Sequence, residues 1–247
     1  HLGREYIGKI DGETVRIHSG SMFSAPEATS QAIPLSAAKL LTPTLPGKMI
    51  ALVDNYRELV AKLGHEIPEE PLYSFKGCNS FLAHGETIRS PRSYDGKVVY
   101  EGELGVVIGK RASGVSESDA ARHIFGYTCV NDVTAIEIIA KDPVFAQWTR
   151  AKSFDTFGPF GPWIETEVEP GKLTVKTFLN GQERQSYPLS DIVFPPAKLV
   201  SLISRDMTLE PGDIIACGCS VGVGAMTPGS TVSVVIAGVG TLTNKFE

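Results

Sequence analysis

Lys97-Val-Val-Tyr-Glu101-Gly-Glu103-Leu-Gly-Val-Val-Ile-Gly109 is the most strand-like run of this chain, and two carboxylates interrupt it. Side chains two positions apart on a β-strand share a face, so Glu101 and Glu103 stand side by side and repel each other. A divalent cation between them removes the conflict, because a hard metal prefers oxygen ligands and cancels their charge. A half-exposed strand with a polar face is the alternative that these two residues leave open, since solvent-facing acids are common.

Downstream of this run, residues 116–122 read as a helix opened by a serine with acids in its first turn. Residues 125–130 read as a short strand, and 135–140 as a helix. Asp132 therefore falls at a strand-to-helix junction, where a helix cap is its plainer role. With Glu101 and Glu103 it could instead offer a facial set of oxygens that suits Mg²⁺ or Mn²⁺, with Ca²⁺ also admitted, and leaves positions open for water or substrate. Lys152 precedes the Gly/Pro-rich segment Thr156-Phe-Gly-Pro-Phe-Gly-Pro-Trp163. That segment is predicted to be rigid, and an ammonium held beside a cation-bound oxyanion would stabilise it. A surface lysine with a solvated head is the other reading.

Upstream, residues 48–53 read as a buried strand and 55–63 as a helix that Pro68 and Pro71 prevent from continuing. Residues 75–90 read as a loop on the rim of a pocket. Further strands are predicted over 163–168, 173–179 and 183–187, with Asn180-Gly181 as a hairpin turn. An amphipathic helix follows Pro195-Pro196, Pro211-Gly-Asp213 turns the chain into residues 214–217, and a strand pair surrounds Gly238. Strands dominate and no βαβαβ alternation is present, which points to an α+β fold around a mixed β core. At the N-terminus, residues 5–18 alternate as short strands about Asp11-Gly12, whereas 27–45 has a mixed pattern. The division expected is a small β-rich domain over 1–45 and a larger domain over 46–247.

Composition narrows the function classes. The net charge of −5 and pI near 5.6 give no electrostatic case for nucleic acid. No apolar run approaches the roughly 18 residues of a membrane span, and no secretory pattern opens the chain, so a cytoplasmic protein is expected. Four cysteines are too few and too scattered for a disulfide framework, and Cys217-Gly-Cys219 reads as core or pocket-lining thiols. The glycine-rich run from Gly218 to Gly229 could cradle a carboxylate or phosphate with its amides, but it is not a dinucleotide fingerprint.

Taken together, Asp54-Asn-Tyr56, Tyr100-Glu-Gly-Glu-Leu-Gly-Val-Val-Ile-Gly-Lys110, Asn131-Asp-Val-Thr134, Ala151-Lys-Ser-Phe-Asp-Thr-Phe-Gly-Pro-Phe-Gly-Pro-Trp163, Leu209-Glu-Pro-Gly-Asp-Ile-Ile215 and Gly222-Val-Gly224 resemble the fumarylacetoacetate hydrolase family. The likeness spans roughly residues 45–247, and the preceding segment is similar to a small N-terminal domain of many bacterial members. The resemblance implies a mixed β-sandwich roll, a homodimer, and a divalent metal on Glu101, Glu103 and Asp132. It also implies a catalytic Lys152 and contacts to a small anionic substrate from Asp54, Tyr56, Lys76 and Cys219. Asp54 resembles a fourth metal-proximal acid of the eukaryotic branch.

Two departures accompany the likeness. The lid histidine and glutamate expected three and six residues after the motif tyrosine are here Leu59 and Lys62, and the family's Thr-Gly-Thr-Pro is Cys217-Gly-Cys-Ser220. Glu58, His65 and His84 are the remaining acid–base side chains nearby, and the sequence selects none of them. Family chemistry on 2-oxo acids runs through their enols. Hydrolysis of an acylpyruvate needs a water activated by a base, whose loss costs about 10²–10⁴-fold. Decarboxylation or isomerisation of a 2-oxo or 2-hydroxydienoic diacid is therefore expected ahead of hydrolysis. A biosynthetic cyclase or dehydratase and a silent metal-binding paralogue are the other readings.

Overall fold

A computed structural model describes residues 1–247, which form two compact units, His1–Leu41 and Thr42–Glu247. In the first, strands Ile7–Asp11, Thr14–Ser19 and Glu27–Pro34 make an antiparallel sheet in that order. Asp11 pairs with Thr14, so the hairpin turns on Gly12 and Glu13, with Gly12 in the left-handed region at φ +58°. The third strand lies where the sequence pattern reads as mixed. Most of its side chains are exposed, so backbone pairing to Thr14–Ser19 holds it without an apolar alternation to announce it.

The second unit is built on a seven-stranded mixed sheet, ordered Leu72–Lys76, Met49–Val53, Ile214–Ala216, Gly102–Ile108, Ile124–Asn131, Gly158–Glu165 and Phe81–Leu82. One face carries Ile50, Leu52, Leu104, Val106, Ile108, Cys129 and Ile215. These pack against Val175, Tyr187, Val234, Ile236 and Leu242 of a five-stranded sheet, ordered Gln182–Pro188, Thr174–Leu179, Thr231–Ile236, Gly240–Phe246 and Thr87–Ile88. The result is a sandwich whose core forms because alternate residues of both sheets are apolar; each fully buried side chain of this size contributes about 1.5–3 kcal/mol. The helix Pro196–Asp206 starts with proline in its first turn, where the missing N–H costs nothing, and buries Leu199, Val200 and Ile203 in the same core. No helix is long and apolar enough to cross a membrane.

Three expectations change. The strand predicted over 97–109 breaks at Glu101: Val98–Tyr100 joins a small sheet with Thr134–Ala135 and Gly224–Ala225, while Gly102–Ile108 joins the large one. Gly102 is the pivot. A Cβ there would lie 2.0 Å from Thr177 Oγ1, while Gly102 N–H donates to Gln185 Oε1 at 3.0 Å and its carbonyl accepts from the Tyr187 hydroxyl. Residues 75–90, read as loop, hold short edge strands, Phe81–Leu82 and Thr87–Ile88. The Gly/Pro-rich run after Lys152 is a strand from Gly158. Its ladder to Ile124–Asn131 shifts register between Tyr127 and Cys129, and Pro162 sits in the break where no N–H is required.

Candidate active site

The face of the seven-stranded sheet opposite the core carries charge. Glu103 faces Val130 across the ladder, and the chain leaves the next strand at Asn131 and Asp132. Asp132 N–H donates to Glu101 O at 2.8 Å and Glu101 N–H to Asn131 Oδ1 at 3.0 Å, so the two acid-bearing turns brace each other. The helical turn Trp148–Lys152 packs against Leu72–Lys76 and Thr134–Ala135 and ends on a buried ammonium. Lys152 Nζ donates to Asp132 Oδ2 at 2.5 Å, Thr134 Oγ1 at 2.9 Å and Glu101 Oε2 at 3.1 Å. Lys76 Nζ donates to Asp132 Oδ1 at 2.5 Å and to Val133 O at 3.1 Å. Both oxygens of Asp132 are thus clamped by ammonium groups.

Glu103 is held differently. Its Oε2 accepts the Gly218 N–H at 2.8 Å, and its Oε1 is buried without a partner. Gly218 adopts φ +85° two residues after the strand Ile214–Ala216 ends, a conformation available at little cost only to glycine. Cys219 follows, with Sγ 3.8 Å from Glu101 Oε2. One potential ligand atom from each of Glu101, Glu103 and Cys219 lies within 4.8 Å of the others. Asp132 adjoins this trio through the Lys152 ammonium that it shares with Glu101.

Electrostatics set the character of the site. Burial, then the charges of Asp132 and Glu101, push the Glu103 carboxyl well above the usual range. Burial also raises Glu101, although Lys152 opposes it. Burial alone would raise Asp132, but Lys152 and Lys76 together hold it below the ordinary value. Lys152 shows the reverse balance: burial favours the neutral amine, and Asp132, Glu101 and Glu103 overcome it and keep the ammonium. Burial leaves Lys76 lowered despite Asp132. Burial and the neighbouring Glu101 and Glu103 push the Cys219 thiol well up, so it faces Glu101 as an S–H group. Counted as ionised, three carboxylates meet two ammoniums, and one buried negative charge is in excess. That excess, the orphaned Glu103 oxygen and an oxygen-dominated donor set fit a hard divalent cation.

Glu101, Glu103, Asp132, Lys152, Lys76 and Cys219 are therefore brought into one buried cluster. Asn131 and Thr134 belong to it too, although sequence reasoning gave them no role; the run Asn131-Asp-Val-Thr134 was the available signal. Gly218, expected with its glycine-rich run to offer amides to a carboxylate or phosphate, offers its amide to the protein's own Glu103. Tyr56 is fully buried in the main core, edge-on to Tyr187 with ring centroids 4.7 Å apart, and burial followed by the neighbouring Cys217, Glu103 and Cys219 raises the pKa of its hydroxyl. Asp54 is also outside the trio, its Oδ2 2.7 Å from His65 Nδ1. It lines a cavity of about 480 Å³ with Val53, Pro71, Leu72, Tyr73 and Trp148. Leu59 packs against the main core and Lys62 is exposed, so no lid dyad forms at those positions. All four cysteines are unpaired, and only Cys78 is exposed.

Fold and site define a family. Residues 48–247 match the model described as fumarylacetoacetate (FAA) hydrolase C-terminal, and residues 1–43 match that described as Rv2993c-like, N-terminal. The chain belongs to the fumarylacetoacetate hydrolase family. It is 39% identical over 226 residues to the oxaloacetate tautomerase YisK of Bacillus subtilis (strain 168), covering 86% of this chain and 74% of that one. The crystal structure of a 5-carboxymethyl-2-hydroxymuconate delta-isomerase from Mycobacterium smegmatis superimposes with a TM-score of 0.89 at 38% identity, covering 98% of this chain and 93% of that one. A maleylpyruvate hydrolase from Sphingobium sp. SYK-6, in complex with manganese(II) and pyruvate, superimposes with a TM-score of 0.72 at 29% identity, covering 87% of this chain and 76% of that one. These relatives are enzymes, and they include both isomerases and a hydrolase.

Proposed function

We propose that this protein is a divalent-cation-dependent isomerase or decarboxylase of small 2-oxo or 2-hydroxydienoic acids that works through their enol forms. One observation carries the reading: three buried carboxyl groups gather against two ammoniums, one of the three, Glu103, has an unpartnered oxygen, and the carboxylates keep the Lys152 ammonium charged. Glu101 and Glu103 would hold the cation, Mg²⁺ or Mn²⁺, with Asp132 as the third acid. When bound, the cation supplies Lewis-acid polarisation of the substrate's oxo and carboxylate oxygens. Lys152 contributes a fixed positive charge for a substrate oxygen that gains electron density, and three hydrogen bonds hold it in one direction. Lys76 holds the far oxygen of Asp132 and so keeps that carboxylate oriented. The Gly218 amide does the same for Glu103.

The tautomerase and isomerase relatives, at 39% and 38% identity, support keto–enol chemistry. The maleylpyruvate hydrolase keeps hydrolysis as a second reading. Hydrolysis needs an activated water, and the side chains at the lid positions, a core-packed Leu59 and an exposed Lys62, offer it no base. The test is a set of 2-oxo acids and 2-hydroxydienoates incubated with Mg²⁺ or Mn²⁺, followed by enol absorbance and mass spectrometry, with a chelator control and Glu101→Ala. Isomers or products lacking CO₂ are expected. Products that jointly carry one added water would transfer the assignment to hydrolysis, and no turnover of any member would sink the reading.

A further inference from the structure

We infer that His65, oriented by Asp54, carries the proton in the keto–enol exchange of this site; the inference rests on the enol chemistry proposed above. The local chain is built to place this imidazole. The helix Arg57–Leu63 ends on Gly64 at φ +69°, with Gly64 N–H donating to Ala61 O at 3.2 Å and His65 N–H to Val60 O at 3.0 Å. These paired bonds across a left-handed glycine are a Schellman closure, which fixes the direction in which the chain leaves the helix. Asp54, before the helix, is itself left-handed at φ +53° and receives the ring at 2.7 Å. A carboxylate only accepts, so Nδ1 carries the hydrogen toward Asp54, and in the neutral ring that tautomer places the lone pair a base requires on Nε2.

Asp54 is tied to the carboxylate cluster through its chain neighbours and the cavity it lines. Asp54 lines the cavity with Trp148, the first residue of the helical turn that ends on Lys152. Its neighbour Asn55 donates to Cys217 O at 2.8 Å, and the next amide, that of Gly218, donates to Glu103. The competing acid–base side chains are placed for other tasks. His84 Nδ1 accepts the Thr243 N–H at 3.1 Å, and Glu58 is exposed on the helix with its own N–H bound to Asp191. In the step assigned to His65, Nε2 takes a proton from the carbon beside the oxo group, and that C–H electron pair becomes the enol double bond. The carbonyl π pair moves to oxygen, which takes the proton back from the imidazolium. The enol is an isomer of the starting acid and the imidazole is regenerated neutral.

The experiment follows exchange of the C3 protons of oxaloacetate in D₂O with Mg²⁺ by NMR, for wild type, His65→Ala, His65→Gln, Asp54→Asn and the control Lys62→Ala. Both His65 variants should lose about 10²–10⁴-fold in kcat, with KM little changed. Added imidazole should restore part of the rate in His65→Ala, which leaves a space, and little in His65→Gln. Asp54→Asn should lower kcat by a smaller factor, as a positioning residue, and Lys62→Ala should match wild type. Exchange at the wild-type rate in both His65 variants would overturn the assignment and leave the enol reading standing. A wild-type protein that exchanges no faster than buffer with Mg²⁺ would overturn both. Near-UV circular dichroism identifies a variant that has lost its fold, and imidazole rescue then decides on the variant that has kept it.

Discussion

Leu104 and Glu103 are adjacent on one strand, yet they belong to two regions that are stabilised in opposite ways. On the Leu104 face, the buried aliphatic side chains are satisfied by contact alone, and they can be exchanged for others of similar volume at modest cost. On the Glu103 face, each buried group depends on a particular partner: Asp132 on two ammoniums, Lys152 on two carboxylates and a hydroxyl, Glu103 on one amide. A β-strand presents both faces at once because its side chains alternate, so one sheet is at the same time the wall of a core and the floor of a site. The comparison implies that removing volume on one face is graded, whereas removing a charge on the other turns its former partners into liabilities.

The largest effect is expected from Lys152→Met. This variant keeps the stem and deletes the ammonium, leaving Asp132 and Glu101 without a partner that both use. Breaking a buried ion pair by removing one member costs about 3–5 kcal/mol. Denaturant titration should show a loss of that order, and turnover should fall by at least about 10²-fold, the scale associated with one missing charge-stabilising donor. A variant as stable as wild type would mean that the cluster is better solvated than its burial indicates, and the contrast between the faces would weaken.

Leu104→Ala tests the other face from the neighbouring residue. A buried leucine truncated to alanine costs about 2–5 kcal/mol, with the spread set by how far the surroundings collapse. Leu104 is fully buried in the main core, so a value in this range is expected by denaturant titration. Cation affinity, read by calorimetry with Mn²⁺, should stay within a few-fold of wild type in the folded variant. A large loss of cation affinity would show that the two faces are mechanically coupled through the strand.

What the sequence disclosed follows the same division. The pairing of Glu101 with Glu103 was legible because a period of two is a local property, and so were the strand runs near 48–53, 125–130, 173–179 and 183–187. The break at Glu101 was not, since it depends on Gly102 meeting Gln185, Thr177 and Tyr187 from the other sheet. The double clamp on Asp132 was equally hidden: Lys76 and Lys152 approach from 56 and 20 residues away, and no spacing rule links them. Resemblance to a family named most of the cluster but could not report that Asp54 is engaged with His65, a contact that spans a whole helix. The first part of strand Gly158–Glu165, before the strand expected from 163, escaped because its glycines and prolines are loop residues by propensity, and only pairing on both sides makes them a strand.

The smallest effect, and the one that inverts the usual sign, is expected at Glu103. Its carboxyl is raised by burial and by Asp132 and Glu101, so the folded, cation-free protein holds a proton there at pH values where an unfolded chain, titrating near about 4.3, has released it. The contribution of this group to stability is then fully present below that unfolded value and is lost as pH rises through the folded one. Glu103→Gln removes the titration, and its melting temperature without cation should decline less steeply with rising pH than that of wild type. A cation acts on the same group in the other direction, because binding needs the carboxylate and expels the proton. The rise in melting temperature on adding Mg²⁺ to wild type should therefore grow with pH, and it should be absent from Glu103→Gln. Equal slopes in the two proteins, or a Mg²⁺ shift retained in the variant, would show that Glu103 is not the residue through which charge on this face is balanced.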